Sequence, residues 1–220
     1  MVTILVTGAN RGIGFELCRQ LHERGDTVIG ACRRSNPALD RLGVRVIDGV
    51  DVTDDAAVAG LRNALGGEKI DVLVNNAGIL RSDTLDSVSY DEMIDQYQVN
   101  AIGPLRVTRA LLDNLADGAK VAIVTSRVGS IADNGSGNNY GYRCSKTAAN
   151  MIGMNLHHDL SPRGIAVGLL HPGYVATDMT GGAGNATATE SARGLVQRLD
   201  ELNLGNSGHF WHAEGYELPW

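Results

Sequence analysis

Three glycines in Thr7-Gly8-Ala9-Asn10-Arg11-Gly12-Ile13-Gly14 constrain this chain more than any other feature. The β-branched run Val2–Thr7 before them reads as a buried strand, and Phe15–Arg24 after them reads as an amphipathic helix. A plain turn between strand and helix needs one glycine, or two. The third lets the backbone come close to a pyrophosphate, with the helix N-terminus facing the anion. The spacing differs from the G-x-G-x-x-G of many dinucleotide folds. Gly8, Asn10, Arg11, Gly12, Ile13 and Gly14 are the candidate cofactor-binding residues of this turn.

The same alternation continues. Strands are expected at Thr27–Cys32, Val44–Ile47, Val72–Asn75, Lys120–Thr125 and Ile165–Leu170, with a short one at Gly208–Trp211. Helices are expected at Asp54–Leu65 with Asp54 as N-cap, at Asp91–Leu115 with a bend near Gly103-Pro104, from Tyr142 through Leu160, and at about Glu190–Leu202. Arg34–Gly43 reads as irregular, and Gly181–Thr189 as a flexible Gly/Ala/Thr segment. Strands and helices joined by short loops predict an α/β fold: a single Rossmann-type, doubly wound parallel sheet of about seven strands with helices on both faces. No linker or repeat divides residues 1–220, so one domain is expected. In such sheets ligands bind beyond the carboxyl ends of the strands, which gathers Gly8–Gly14, Asn75–Gly78, Ser126 and Pro172–Asp178 at one edge.

The formal net charge of −6 comes without a basic block, which argues against nucleic acid or an anionic membrane as partner. No segment reaches the ~20 apolar residues of a membrane span, and the start of the chain reads as a strand and not as a signal peptide. Cys18, Cys32 and Cys144 have no metal or redox spacing and read as reduced thiols of a cytoplasmic protein. The histidines show no ligand spacing, and His171, just before Pro-Gly, reads as structural.

Two further motifs concern the nucleotide. The second strand ends Ala31-Cys32-Arg33-Arg34, where an acid would select a ribose 2′-hydroxyl. Arg33 together with Arg11 suits a 2′-phosphate instead, so NADP(H) is preferred and NAD(H) is the lesser alternative. Asp51-Val52 lies where a carboxylate accepts from an adenine amino group, and Asn76-Ala77-Gly78 floors the site. The chemical centre is Tyr142-Arg143-Cys144-Ser145-Lys146, with phenol and ammonium one helical turn apart. An ammonium there is expected to lower the phenol pKa from ~10 toward neutrality.

Together these elements resemble the short-chain dehydrogenase/reductase family. They are TGANRGIG at Thr7–Gly14, DVT at Asp51–Thr53, NNAG at Asn75–Gly78, VNAIGP at Val99–Pro104, TSRVGS at Thr125–Ser130, YRCSK at Tyr142–Lys146 and HPGYVATDM at His171–Met179. The glycine-rich loop before Tyr142 and the closing Gly-His-Phe…Tyr-Glu-Leu-Pro-Trp are similar to the C-factor/Sniffer-like carbonyl reductase branch.

The resemblance implies a catalytic tetrad. Tyr142 is the acid/base. Lys146 tunes it and binds nicotinamide ribose hydroxyls, Ser126 bonds the substrate oxygen, and Asn100 holds a water linked to Lys146. Ser126 precedes Tyr142 by 16 residues, more than the commonest family spacing, and Ser130, 12 before it, is a rival. Pro172, Gly173, Val175 and Thr177 are implied to hold the nicotinamide carboxamide. The resemblance also implies an NADPH-dependent reductase of aldehydes, ketones or quinones, with a small-molecule carbonyl or alcohol as partner. A homodimer or homotetramer through Asp91–Leu115 and Tyr142–Leu160 follows from it too. The competing reading is a C-factor-like signalling protein that keeps the nucleotide site. Thr180–Thr189 is short and lacks bulky apolar residues, which suggests an open substrate site.

Overall fold

The computed structural model describes residues 2–220. Seven parallel strands form the central sheet in the order β3-β2-β1-β4-β5-β6-β9. They are β1 Thr3–Thr7, β2 Thr27–Ala31, β3 Arg45–Ile47, β4 Ile70–Asn75, β5 Leu115–Val124, β6 Ala166–His171 and β9 Phe210–His212. A second, two-stranded sheet pairs β7 Val175–Ala176 with β8 Ala186–Thr187. Strand order reverses between β1 and β4, so the crevice of this fold lies at their carboxyl ends.

Burial on both faces explains the nearly unbroken apolar strands. Ile4 and Val6 of β1 pack with Leu17 and Leu21 of α1 (Gly12–Glu23) and Leu195 and Leu199 of α7 (Ala188–Glu201). Leu5, between them, faces the other layer. There it joins Leu61 of α3 (Asp55–Leu65), Val107 of α5 (Gly103–Ala110) and Leu156 of α6 (Tyr140–Leu160). Asp54 caps α3 as the sequence suggests, accepting from Ala56 and Ala57 amides.

Three expectations need correction. The helix expected at Asp91–Leu115 is three pieces: α4 (Tyr90–Tyr97), a π-turn at Gln98–Ile102, and α5. Pro104, lacking an amide hydrogen, suits the first turn of α5, and Gly103 packs so closely on Val52 that a Cβ would sit 2.9 Å from its Cγ2. Leu115 opens β5, because Asn114 Nδ2 donates to the Gly66 and Glu68 carbonyls and draws the chain into the sheet. The irregular stretch after β2 contains α2 (Pro37–Asp40), capped by Asn36. The segment expected to be flexible is pinned instead: Asn185 and Ala186 amides bond the Tyr174 carbonyl, and Gly182 bonds that of Thr177.

Candidate active site

A cleft of about 380 Å³ opens at the switch point. Glycine is required on its floor. Gly8 has φ +68°, and a Cβ there would meet Ala77 Cα at 2.9 Å; a Cβ on Gly14 would strike the Gly8 carbonyl oxygen and Asn76 Nδ2. Thr7 Oγ1 accepts from the Asn76 and Ala77 amides, and Asn76 Nδ2 donates to the Thr7 carbonyl, so the glycine turn and the Asn-Ala-Gly turn form one unit. No side chain caps α1, whereas Asn36, Asp54, Ser89 and Thr187 cap α2, α3, α4 and α7. The first-turn amides of α1 thus face the cleft with their hydrogens available. This cradle fits a dinucleotide pyrophosphate.

The opposite end fits an adenosine moiety. Asn10 Nδ2 donates to the Arg34 carbonyl and Asn36 Nδ2 donates to the Asn10 carbonyl, tying the end of β2 to the glycine turn. Arg33 and Arg11 both line the cleft here, and Arg11 lies 3.9 Å from Asp178. Asp51 Oδ1 accepts from the Thr53 amide and hydroxyl. Partial burial opposes its charge, but those bonds and the nearby Arg33 and Arg106 hold its carboxyl below the usual range. Val52, next to Asp51, also lines the cleft, whereas Gly78 lies at the far end beside Asn100 and Lys146.

At the other end stands Tyr142, in the first turn of α6. Ser126, at the start of the 3₁₀ turn Arg127–Gly129, lies near its phenol. The Oγ of Ser130, the rival, accepts from the Asp133 amide in the loop beyond. Lys146 lies one turn along α6 with Nζ 5.7 Å from the Tyr142 ring centroid, and it donates to the Val124 carbonyl at 2.9 Å. The phenol pKa is shifted the opposite way from that expected. Burial pushes Tyr142 up to about 12, and the nearby Ser126 hydroxyl offsets this only in part. Burial moves Lys146 down to about 8.

Asn100 sits on the inner face of the π-turn. Its Oδ1 accepts from the Ile79 amide, and its Nδ2 donates to the Ile79 carbonyl and Ser145 Oγ. Both amide hydrogens are engaged, so only its backbone and a spare Oδ1 lone pair remain for a water.

Pro172 and Thr177 line the cleft, and Gly173 and Val175 lie between them in the chain. Gly173 adopts φ +91° beside the His212 ring, and the Val175 carbonyl accepts from Thr180 Oγ1. His171 is buried and lies edge-on to His212, 4.8 Å between ring centroids; burial lowers it to about 3, so its imidazole is neutral.

Asp83 is the residue sequence reasoning missed. Asn139, just before α6, is left-handed and cannot cap it. Asp83, in the loop after β4, does so instead, accepting from the Tyr140 and Gly141 amides at 2.6 and 3.2 Å. The sequence carries no signal for it, since Asn139 before Tyr140 reads as an ordinary N-cap.

Fold and cleft together define a Rossmann-type nucleotide-binding α/β protein. A family model described as short chain dehydrogenase matches residues 2–188, and the chain belongs to that family. It is 46% identical, over the full length of both chains, to a 1-hydroxy-2-glutathionyl-2-methyl-3-butene dehydrogenase of Rhodococcus sp. (strain AD45). It is also 46% identical to the C-signal of Myxococcus xanthus, over 69% of this chain and 93% of that one. Among solved structures, the NADPH-bound carbonyl reductase from chicken fatty liver superposes with TM-score 0.89 at 32% identity, covering 99% of this chain and 98% of the other. The carbonyl reductase Sniffer of D. melanogaster gives 0.92 at 29% identity, covering all of both chains. These similarities make it a short-chain dehydrogenase of the carbonyl reductase type.

Proposed function

We propose that the protein is a cytoplasmic, NADPH-dependent reductase that converts an aldehyde, ketone or quinone to the alcohol, the whole chain acting as one domain. The observation that carries this reading is the Tyr142 phenol in the cleft, with the Ser126 hydroxyl near it and the Lys146 ammonium 5.7 Å over its ring. Mere binding has no use for a phenol so equipped.

When bound, the reduced nicotinamide supplies a hydride to the carbonyl carbon. Gly8, Gly12, Ile13 and Gly14 bring the backbone and the α1 N-terminus to the pyrophosphate. Arg11 and Arg33 pair with the 2′-phosphate, and Asp51 and Val52 hold the adenine. Asn76, Ala77 and Gly78 form the floor, and Pro172, Gly173, Val175 and Thr177 orient the carboxamide. Ser126 Oγ and the Tyr142 hydroxyl donate to the substrate oxygen, and Tyr142 passes its proton to that oxygen as negative charge develops. Lys146, held charged, stabilises the phenolate left behind. Asn100 fixes the backbone of Ile79 against α6 and, through its remaining acceptor, holds a water for the return of the proton.

The two relatives with bound or named reductase chemistry support a carbonyl substrate, and the Rhodococcus enzyme's name supports an alcohol carrying a glutathionyl group as a further candidate. The short, pinned segment between β7 and β8 supports an open site that accepts varied carbonyls. Exposed Tyr90, Ile94 and Tyr97 on α4 and Met151 on α6 support assembly into a dimer or tetramer. Sedimentation velocity, with Ile94→Glu shifting the protein to monomer, tests that assembly.

The likeness to C-signal favours a second reading, a signalling role with little turnover. The two are separated by following NADPH absorbance with a panel of aldehydes, ketones, quinones and glutathionyl carbonyls. Consumption of NADPH with any of them supports the reductase; consumption with none, beside tight nucleotide binding, supports the second.

A further inference from the structure

We propose that Arg143 is a positioning residue: its guanidinium ties the turn after Ser126 to the segment before α6, and so fixes the Ser126–Tyr142 geometry. The inference rests on the reductase reading of Tyr142 and adds to it a residue outside the cleft.

The loop between Ser126 and Tyr142 is long, and its far end is strained. Gly137, Asn138 and Asn139 have φ of 64°, 55° and 51° in succession. Two consecutive left-handed asparagines persist only where the surroundings hold them. Arg143 holds them from inside. Its Nε donates to the Gly137 and Asn138 carbonyls, both at 3.0 Å, and Nη2 donates to Ser136 Oγ at 2.8 Å. From the same planar group Nη1 reaches the Val128 carbonyl at 3.3 Å. Val128 belongs to the 3₁₀ turn that Ser126 opens, and its amide donates to Ser126 Oγ. One guanidinium therefore joins both ends of the loop, next in sequence to the phenol that Ser126 must meet.

Neighbouring contacts leave little slack for this turn. Gly129 lies against α6 so closely that a Cβ would come within 2.9 Å of Lys146 Cβ, and Thr147 Oγ1 donates to its carbonyl at 2.8 Å. Arg127 pairs with Asp133, which steadies the middle of the loop. A lysine at 143 keeps the charge but presents one compact ammonium, which cannot span carbonyls on both sides as the rigid fork does.

The test uses Arg143→Ala and Arg143→Lys in the full chain, with three measurements. Hydrogen exchange of residues 127–139 is expected to rise in both variants, whatever the activity. With the best carbonyl at saturating NADPH, kcat is expected to fall ~10–100-fold, because small displacements of a reacting group cost that much. The NADPH Kd is expected to stay within about two-fold. Millimolar methylguanidine is expected to restore part of the lost rate to Arg143→Ala, and methylamine to restore none. Unchanged exchange overturns the proposal, as does a kcat loss that merely tracks weakened NADPH binding or is absent in both variants. If Arg143→Ala does not fold, Arg143→Lys decides alone: wild-type kcat and exchange in it overturn the proposal. Should the wild type reduce no carbonyl, the reductase reading fails, and the exchange result still judges the clamp.

Discussion

Lys146 Nζ lies 5.7 Å from the centre of the Tyr142 ring, and desolvation drives the proton affinities of the two groups in opposite directions. The phenol rises to about 12 and the ammonium falls to about 8. At neutral pH Tyr142 is therefore a protonated acid, beside a lysine whose proton burial has loosened.

The rate of carbonyl reduction is therefore expected to be level at neutral pH and to fall as pH passes about 8, where Lys146 loses its proton and no longer stabilises the developing phenolate. Alcohol oxidation, which needs Tyr142 as a base, is expected to rise with pH. Lys146→Met should lower kcat and erase the limb near 8; a limb that persists in this variant assigns it to another group. Stability carries a linked sign. Between about 8 and ~10.4 the unfolded chain keeps the lysine proton that the folded chain has released, so wild-type stability rises with pH across that window. Urea unfolding of wild type against Lys146→Met checks it.

Arg33 lines the adenosine end of the cleft and is near enough to Asp51 to help lower its pKa. Arg33→Asp is expected to weaken NADPH by about ten-fold or more while leaving NADH nearly unchanged, as removal of a phosphate partner requires. Titration of nucleotide fluorescence gives the ratio, and an unaltered ratio removes the argument for a 2′-phosphate site.

Gly14→Ala places a methyl against the Gly8 carbonyl and Asn76 Nδ2. The expected cost is roughly 1–3 kcal/mol of stability together with loss of nucleotide affinity. Gly60→Ala, in α3 with nothing within 4 Å of the added methyl, serves as the comparison and should stabilise by up to about 1 kcal/mol. Denaturant midpoints of the two variants decide.

Asp83→Ala removes the acceptor of the Tyr140 and Gly141 amides and leaves α6 without a cap. A loss of about 1–2 kcal/mol is expected, with faster amide exchange at the start of α6. Exchange confined to other segments would show that α6 is held there by something else.

Much of this was legible because parallel strands buried on both faces read as plain apolar runs, and because each βα turn carries its own chemistry. Gly8, Gly14 and Asn76 could be read as one floor since each follows a strand that the sheet order then brings side by side. Contacts between distant segments were not legible. Asp83 caps a helix 57 residues away, and no local pattern announces it. The π-turn that aims Asn100 at Ile79 and Ser145 has ordinary helical composition, so the stretch read as one bent helix. The direction of the Tyr142 shift failed for a related reason: helical spacing reveals the nearby ammonium but not the depth of burial, and burial dominates.

The central claim is that Tyr142 gives the proton in a hydride transfer that the cleft organises. Its most direct test is the steady-state rate of NADPH oxidation with the best carbonyl, wild type against Tyr142→Phe, at saturating nucleotide. A fall of ~10²–10⁴-fold with unchanged NADPH affinity is predicted. Equal rates in the two proteins, on every carbonyl tried, would contradict it.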